Sequence, residues 1–326
     1  MPIYDKTELS RRAKELSVVR DTLEKVLRLC EILRFFDSSP LFKDHLALKG
    51  GTAINLLFFN LPRLSVDIDL DFCVNMSKDE MDTTREIIRD KLLKYMVASG
   101  YSQSSKSKIF HSLHSYVFEY TNSGGMRDNI KIEINYSLRS HVLPIKKIRM
   151  PSDIVEGGFE VNTVSPVEIY AAKTVALLTR GAARDLYDMN YMVNYRLFSD
   201  EELELYRQCV VFYLAVATEF PIMEIDYRAM EMITPHKITT DLKPVVRDRD
   251  VFELDRAKET VMIFLDENLY LTKEDIVFLK WFGKGLYRPE LIFKGEMLKN
   301  VENHPMAIWK TQNNREKIRS NDRDER

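Results

Sequence analysis

Asp67, Asp69 and Asp71 alternate with Ile68, Leu70 and Phe72 within the stretch Leu64 to Cys73. A period of two is that of a strand, so the three carboxylates share one face, with neighbouring Cα atoms about 6.5–7 Å apart, while the apolar set packs on the core. Like charges at that spacing repel, and aspartate is a poor strand former. A divalent cation removes the repulsion, and two metal ions about 3.5–4 Å apart can be gripped by two such carboxylates. The functional reading is a magnesium site on this face; the competing one is the solvated face of an amphipathic strand. Upstream, Leu46, Ala47 and Leu48 run into Lys49, Gly50, Gly51 and Thr52, directly before a short apolar helix. A strand that feeds a glycine pair and a helix start presents backbone N–H groups to an anion. Phosphate donors and metal ligands then stand on adjacent strand ends.

The elements that must carry these residues follow from periodicity. Apolar residues three and four apart from Glu8 to Phe36 predict one or two amphipathic helices, Thr52 to Asn60 a short helix stopped before Pro62, and Lys78 to Ala98 a longer one. Short strands are expected around Lys108 to His114, Ser115 to Tyr120, Ile130 to Tyr136, Ile145 to Met150 and Phe159 to Val164. Beyond them the pattern is almost continuously helical to about Phe282. Ser165, Pro166 and Glu168 predict a helix start with a capping box, and Gly181 its end. The fold class expected is α+β: a mixed sheet flanked by helices over residues 1–160, a mostly helical domain over 161–310, and a disordered polar tail over 311–326.

Composition limits the alternatives. The chain has 326 residues, 48 Lys+Arg against 50 Asp+Glu and 45% hydrophobic residues, enough for one large core or two ordinary ones. A formal charge of −2 means that any polyanion site is a local patch. The longest apolar run, Cys209 to Ala217, is short of the ~20 residues of a membrane-crossing helix, and the first residues include Asp5, Lys6 and Glu8 instead of an apolar signal. The expectation is a soluble, cytoplasmic protein. Cys30, Cys73 and Cys209 are far apart and predict free thiols and no structural metal. Glycine is sparse, and the pairs Gly50-Gly51 and Gly124-Gly125 mark backbone with special demands.

Leu48 to Thr52 followed by Arg63, Leu64, Ser65, Val66, Asp67, Ile68 and Asp69 resembles the signature of minimal nucleotidyltransferases of the DNA polymerase beta superfamily. More narrowly, Gly50-Gly51-Thr52 with Arg63, Ser65, Asp67 and Asp69 is similar to the AbiEii/AbiGii toxin family. Lys173 on a helix, then Arg184, Asp185 and Asp188, is similar to that family's second block, and Gly283 to Phe293 also has its look. The resemblance implies Asp67 and Asp69 as ligands of two magnesium ions, with Gly50, Gly51, Thr52, Arg63, Ser65 and Lys173 toward the nucleotide and Asp185 opposite the lysine.

In the superfamily a third carboxylate comes from a neighbouring strand. Lys131, Glu133 and Asn135 alternate, which makes Glu133 the candidate and Asp71 the other; equally, Glu133 is an exposed strand residue paired with Lys131. Arg63 either meets a phosphate or caps its loop, and Asp185 either orients Lys173 or contacts the nucleotide. Arg184 and Asp188, four apart, suit a helix salt bridge. Arg139, His141, Lys146, Lys147, Arg149, Lys106 and Lys108 are candidates for RNA phosphates.

What the resemblance implies functionally is a metal-dependent transfer of nucleotides from NTP to an RNA acceptor, the 3′ end of tRNA, by a bacterial toxin with a cognate antitoxin encoded nearby. Two other classes stay open: a nucleotide-binding regulatory module without turnover, and a glycosyltransferase using its Asp-x-Asp for a nucleotide sugar.

Overall fold

The computed structural model describes residues 4–59, 61–151, 157–218, 221, 223–247 and 250–324. By its internal contacts the chain forms two units. The first comprises residues 1–139, 145–164 and 243–251, and the second 140–144, 165–242 and 252–326. The expected division near residue 160 does not foresee that two short segments exchange sides. A few inward side chains and hydrogen bonds fix each of them, and these are not visible in composition.

In the first unit, helices α1 (Lys6–Leu16) and α2 (Arg20–Ser38) bury Leu9, Ala13, Leu23 and Leu27 in one cluster. The short α3 (Pro40–His45) leads into strand β1 (Leu46–Lys49). The turn at Gly50 opens α4 (Gly50–Ala53), which loosens over Ile54–Phe58 into a wider coil, with the Phe59 N–H reaching back five residues to the Ile54 carbonyl. Asn60, the expected end of this helix, lies outside the described residues. Strand β2 (Asp67–Phe72) follows, then α5 (Lys78–Ala98), started by a capping box of Ser77 and Glu80.

The remaining strands are β3 (Ser102–Gln103), β4 (Lys108–Ile109), β5 (Leu113–Thr121), β6 (Arg127–Asn135), β7 (Lys146–Arg149) and β8 (Glu160–Thr163). They form one mixed sheet in the order β3-β5-β6-β2-β1-β8-β7, with β4 also paired to β5. β2 lies at its centre, antiparallel to β1 and parallel to β6. Leu48, Leu70, Ile68, Ile132 and Ile134 are paired across these strands and fully or almost fully buried, which fixes the register: a slip of one residue would turn the carboxylates into the core.

The second unit is helical. Helix α6 (Pro166–Arg180) has Pro at its start and ends at Gly181 with φ +58°, where a Cβ would collide with the Ala229 carbonyl oxygen. The capping box expected at its start does not form. Ser165 makes no side-chain cap, and the Glu168 carboxylate instead accepts the Val142 and Leu143 N–H groups and the Tyr213 hydroxyl. Glu168 thus holds the 140–144 segment in this unit. Helices α7 (Ala183–Tyr195), α8 (Asp200–Val216), α9 (Arg228–Glu231), α10 (Pro235–Lys237), α11 (Leu254–Asn268), α12 (Lys273–Gly283), α13 (Gly295–Val301) and α14 (Pro305–Asp324) complete it.

The tail expected to be disordered from Thr311 is helix as far as Asp324. It is anchored at its first turns: Thr311 is buried, Asn314 donates to the Phe282 carbonyl and Arg315 to that of Gly285. Among the described residues no helix is long and apolar enough to cross a membrane.

Candidate functional site

The glycine turn and the carboxylate strand meet in the first unit. Gly50 has φ +69, which a side chain resists, and a Cβ there would lie 2.8 Å from Asp69 Oδ2. A Cβ on Gly51 would lie 2.6 Å from the Arg63 guanidinium and 3.2 Å from Ser65 Oγ. The glycines are therefore what lets backbone approach Asp69, Arg63 and Ser65 closely. Antiparallel pairing sets Lys49 opposite Asp69, and parallel pairing sets Asp69 beside Glu133 and Asp67 beside Lys131. Eight of the predicted residues (Gly50, Gly51, Thr52, Arg63, Ser65, Asp67, Asp69 and Glu133) thus lie in one neighbourhood.

Their individual surroundings vary: Arg63 and Glu133 are each found as in one of the two alternatives open for them, and Thr52 is not as expected. Thr52 is fully buried; its hydroxyl donates to the Asp67 carbonyl and sits 2.8 Å from Ser65 Oγ. It fastens the glycine helix to the strand and does not present its hydroxyl outward, contrary to the expected cradling role. Arg63 is 3% exposed and donates to the Leu64 carbonyl, so it is packed into the loop. Asp71, the other candidate for a third carboxylate, is 1% exposed and ion-paired with Lys49. Glu133 pairs with Lys131 at 2.9 Å.

Two residues escape the sequence reading. Lys49 is the cation that faces the acidic strand; its signal is a lysine at a strand end beside a glycine pair. Asn55 is fully buried, donates to the Gly51 carbonyl at 2.8 Å and accepts the Arg63 N–H at 3.4 Å. It ties the glycine turn to the loop that carries Arg63 and Ser65.

Burial pushes the Asp69 carboxyl up to about 6; Lys49 pulls it down, while Asp67 and Glu133 add repulsion. The neighbouring cations therefore leave part of the negative charge uncompensated. The donors are all carboxylate oxygens, the chemistry that suits a hard divalent cation. Among the described residues no group of three or more His, Cys, Asp or Glu is arranged to hold a metal, so a cation on Asp67 and Asp69 would complete its shell with water and phosphate oxygens, as magnesium does.

Lys173 and Asp185 lie in the second unit and form a set of their own. The Lys173 ammonium is 2.9 Å from Asp185 and 2.8 Å from Asp188, and Arg180 reaches the other Asp185 oxygen at 2.7 Å. Burial alone would raise the Asp185 carboxyl, but Lys173 and Arg180 outweigh it and hold the group below the usual carboxylate range. The expected Arg184–Asp188 pair is not what forms. Asp188 turns inward to Lys173, and Arg184 donates to the Asp241 carbonyl. His141, one of the candidate RNA contacts, is buried beside Glu168 at 3.4 Å.

No curated protein matches this sequence. A solved structure of MenT4, a nucleotidyltransferase toxin from Mycobacterium tuberculosis, aligns over 94% of this chain and 99% of its own with a TM-score of 0.61 at 17% identity, a likeness of fold. The family model of the AbiEii nucleotidyl transferase toxin, type IV toxin–antitoxin system, matches residues 33–263, from inside α2 to inside α11. With its glycine turn, its carboxylate strand and its lysine–aspartate helices all inside that span, the chain belongs to the AbiEii family of nucleotidyltransferase toxins.

Proposed function

We propose that the protein transfers nucleotides from a nucleoside triphosphate to the 3′ end of an RNA, with tRNA as the acceptor, and that this stops growth unless a cognate antitoxin intervenes. The observation that carries the reading is Asp69: a partly buried carboxyl raised to about 6, with Gly50 backbone pressed against it and Asp67 on the same face.

Asp67 and Asp69 would hold magnesium, two ions in full, which supplies charge neutralisation at the triphosphate and lowers the pKa of the attacking hydroxyl. The chain's own contribution is placement. Gly50 and Gly51 let phosphate oxygens come close to backbone, Thr52 and Asn55 keep that turn in register with the strand, and Arg63 adds fixed positive charge. Glu133, paired with Asp69 across the strands, would accept the acceptor hydroxyl's proton once Lys131 is displaced. Lys173 and Asp185 belong to the reading through the family pattern, the lysine held in place by Asp185 and Asp188.

The test is a labelling experiment with each NTP, magnesium and total tRNA. The expected outcome is label on the RNA 3′ end, lost on chelation and in Asp67→Ala together with growth inhibition. Tight NTP binding with no labelled RNA under any of the four nucleotides would instead establish a binding module.

A further inference from the structure

We propose that the sheet edge formed by β4 and the turn before it is the track on which the single-stranded end of the acceptor RNA docks, with Lys106 and Lys108 on its phosphates and Phe110 against a base; this rests on the transfer reading above. Register places the track. Asp69 is paired with Glu133, Glu133 with Ser115, and Ser115 with Lys108. Directly paired residues point to the same side of a sheet, so Lys108 ends a line that begins at the carboxylates. Three strand spacings separate its ends, about 14 Å.

Charge and exposure suit a polyanion. The other lysines near this line are engaged, Lys49 with Asp71 and Lys131 with Glu133. Lys106 and Lys108 are exposed, and among the described residues neither has a carboxylate partner. Phe110 is 53% exposed at the end of the same edge. Cations that follow a backbone beside an aromatic ring are the chemistry of single-stranded nucleic-acid binding. A protein strand is a poorer occupant, because β4 is only two residues long and offers few backbone groups to pair.

The experiment measures steady-state transfer to RNA for the wild type, Lys106→Glu/Lys108→Glu, Phe110→Ala and, as a charge-matched control on α1, Lys6→Glu/Lys14→Glu. The expected result for the double edge variant is a rise of about tenfold or more in KM for RNA, with a shallower dependence on log salt by roughly 1.4. Its kcat at saturating RNA and KM for NTP stay unchanged. Phe110→Ala raises the same KM roughly fivefold or more, and the control changes nothing. An unaltered RNA KM in the edge variants, with the wild type active, overturns the track and leaves the transfer reading standing. So does loss of antitoxin binding with the RNA KM intact, which would assign the edge to a protein. A wild type that labels no RNA overturns track and reading together.

Discussion

Asp69 and Asp185 are both shielded aspartates in family motifs, and the protein treats them in opposite ways. Around Asp185 the charges are closed: Lys173 and Arg180 each contact one of its oxygens, and the carboxyl is held low. Around Asp69 burial pushes the carboxyl up to about 6, Lys49, the cation that most opposes this, is itself bonded to Asp71, and two further carboxylates add repulsion. A compensated carboxylate contributes to the fold; an uncompensated one costs stability and is ready for an added cation. The first property predicts a stabilising element, the second a working site.

The sharpest way to break this contrast is substitution at the two positions. Asp69→Asn is expected to lower transfer by at least about 10³-fold, as the loss of a metal ligand worth several kcal/mol requires. The same variant should unfold at higher denaturant than the metal-free wild type, because a repelling charge is gone. Lys173→Met should do the reverse to stability, costing about 3–5 kcal/mol, since the buried Asp185 and Asp188 carboxylates both lose the cation they share. Adding Asp188→Asn to Lys173→Met should restore part of that loss. Equal destabilisation by Asp69→Asn and Lys173→Met in equilibrium unfolding would erase the distinction.

The contrast also shows what the sequence could disclose. Strict alternation announces β2 and its two faces, and glycine beside a strand end announces a close approach, so the sheet and the neighbourhood of Gly50, Asp67 and Asp69 are legible. The pairing of Asp71 with Lys49 is not, because it depends on which strand lies next to β2 and in what register. Asn55 is hidden for a similar reason. An amide in an apolar helix reads as an oddity until its two backbone partners, Gly51 before it and Arg63 after it, are brought together. The tail reads as disordered because its composition is polar, while a few contacts from Thr311, Asn314 and Arg315 hold the helix.

Asn55 supplies a smaller test on the Asp69 side. Asn55→Ala removes both side-chain bonds from a fully buried site and leaves the Gly51 carbonyl without that donor, an expected cost of about 2 kcal/mol in chemical denaturation. Transfer should fall roughly tenfold or more at temperatures where the variant is folded, through misplacement of the glycine turn. An Asn55→Ala variant that loses stability but keeps full kcat would reduce Asn55 to a packing residue.

The smallest expected effect is the pH dependence of the metal-free protein. The unfolded Asp69 carboxyl takes up its proton near 3.8, the folded one near 6, so between those values the native state holds more protons. Stability therefore falls as pH rises from about 4 to 6 and stays at the lower level above it. The full shift corresponds to at most ~3 kcal/mol, and partial solvent access at Asp69 reduces the expectation to roughly 1–2 kcal/mol. Asp185, shifted the other way, contributes stability that is fully present above the ordinary aspartate value of about 3.8 and is lost as pH falls from there toward its depressed folded value. Subtracting the Asp69→Asn denaturation curve from that of the wild type at each pH isolates the first contribution. A difference that does not change between pH 4 and 7 would mean that Asp69 is already neutralised by the protein, and its residual charge could no longer be what draws a cation to the glycine turn.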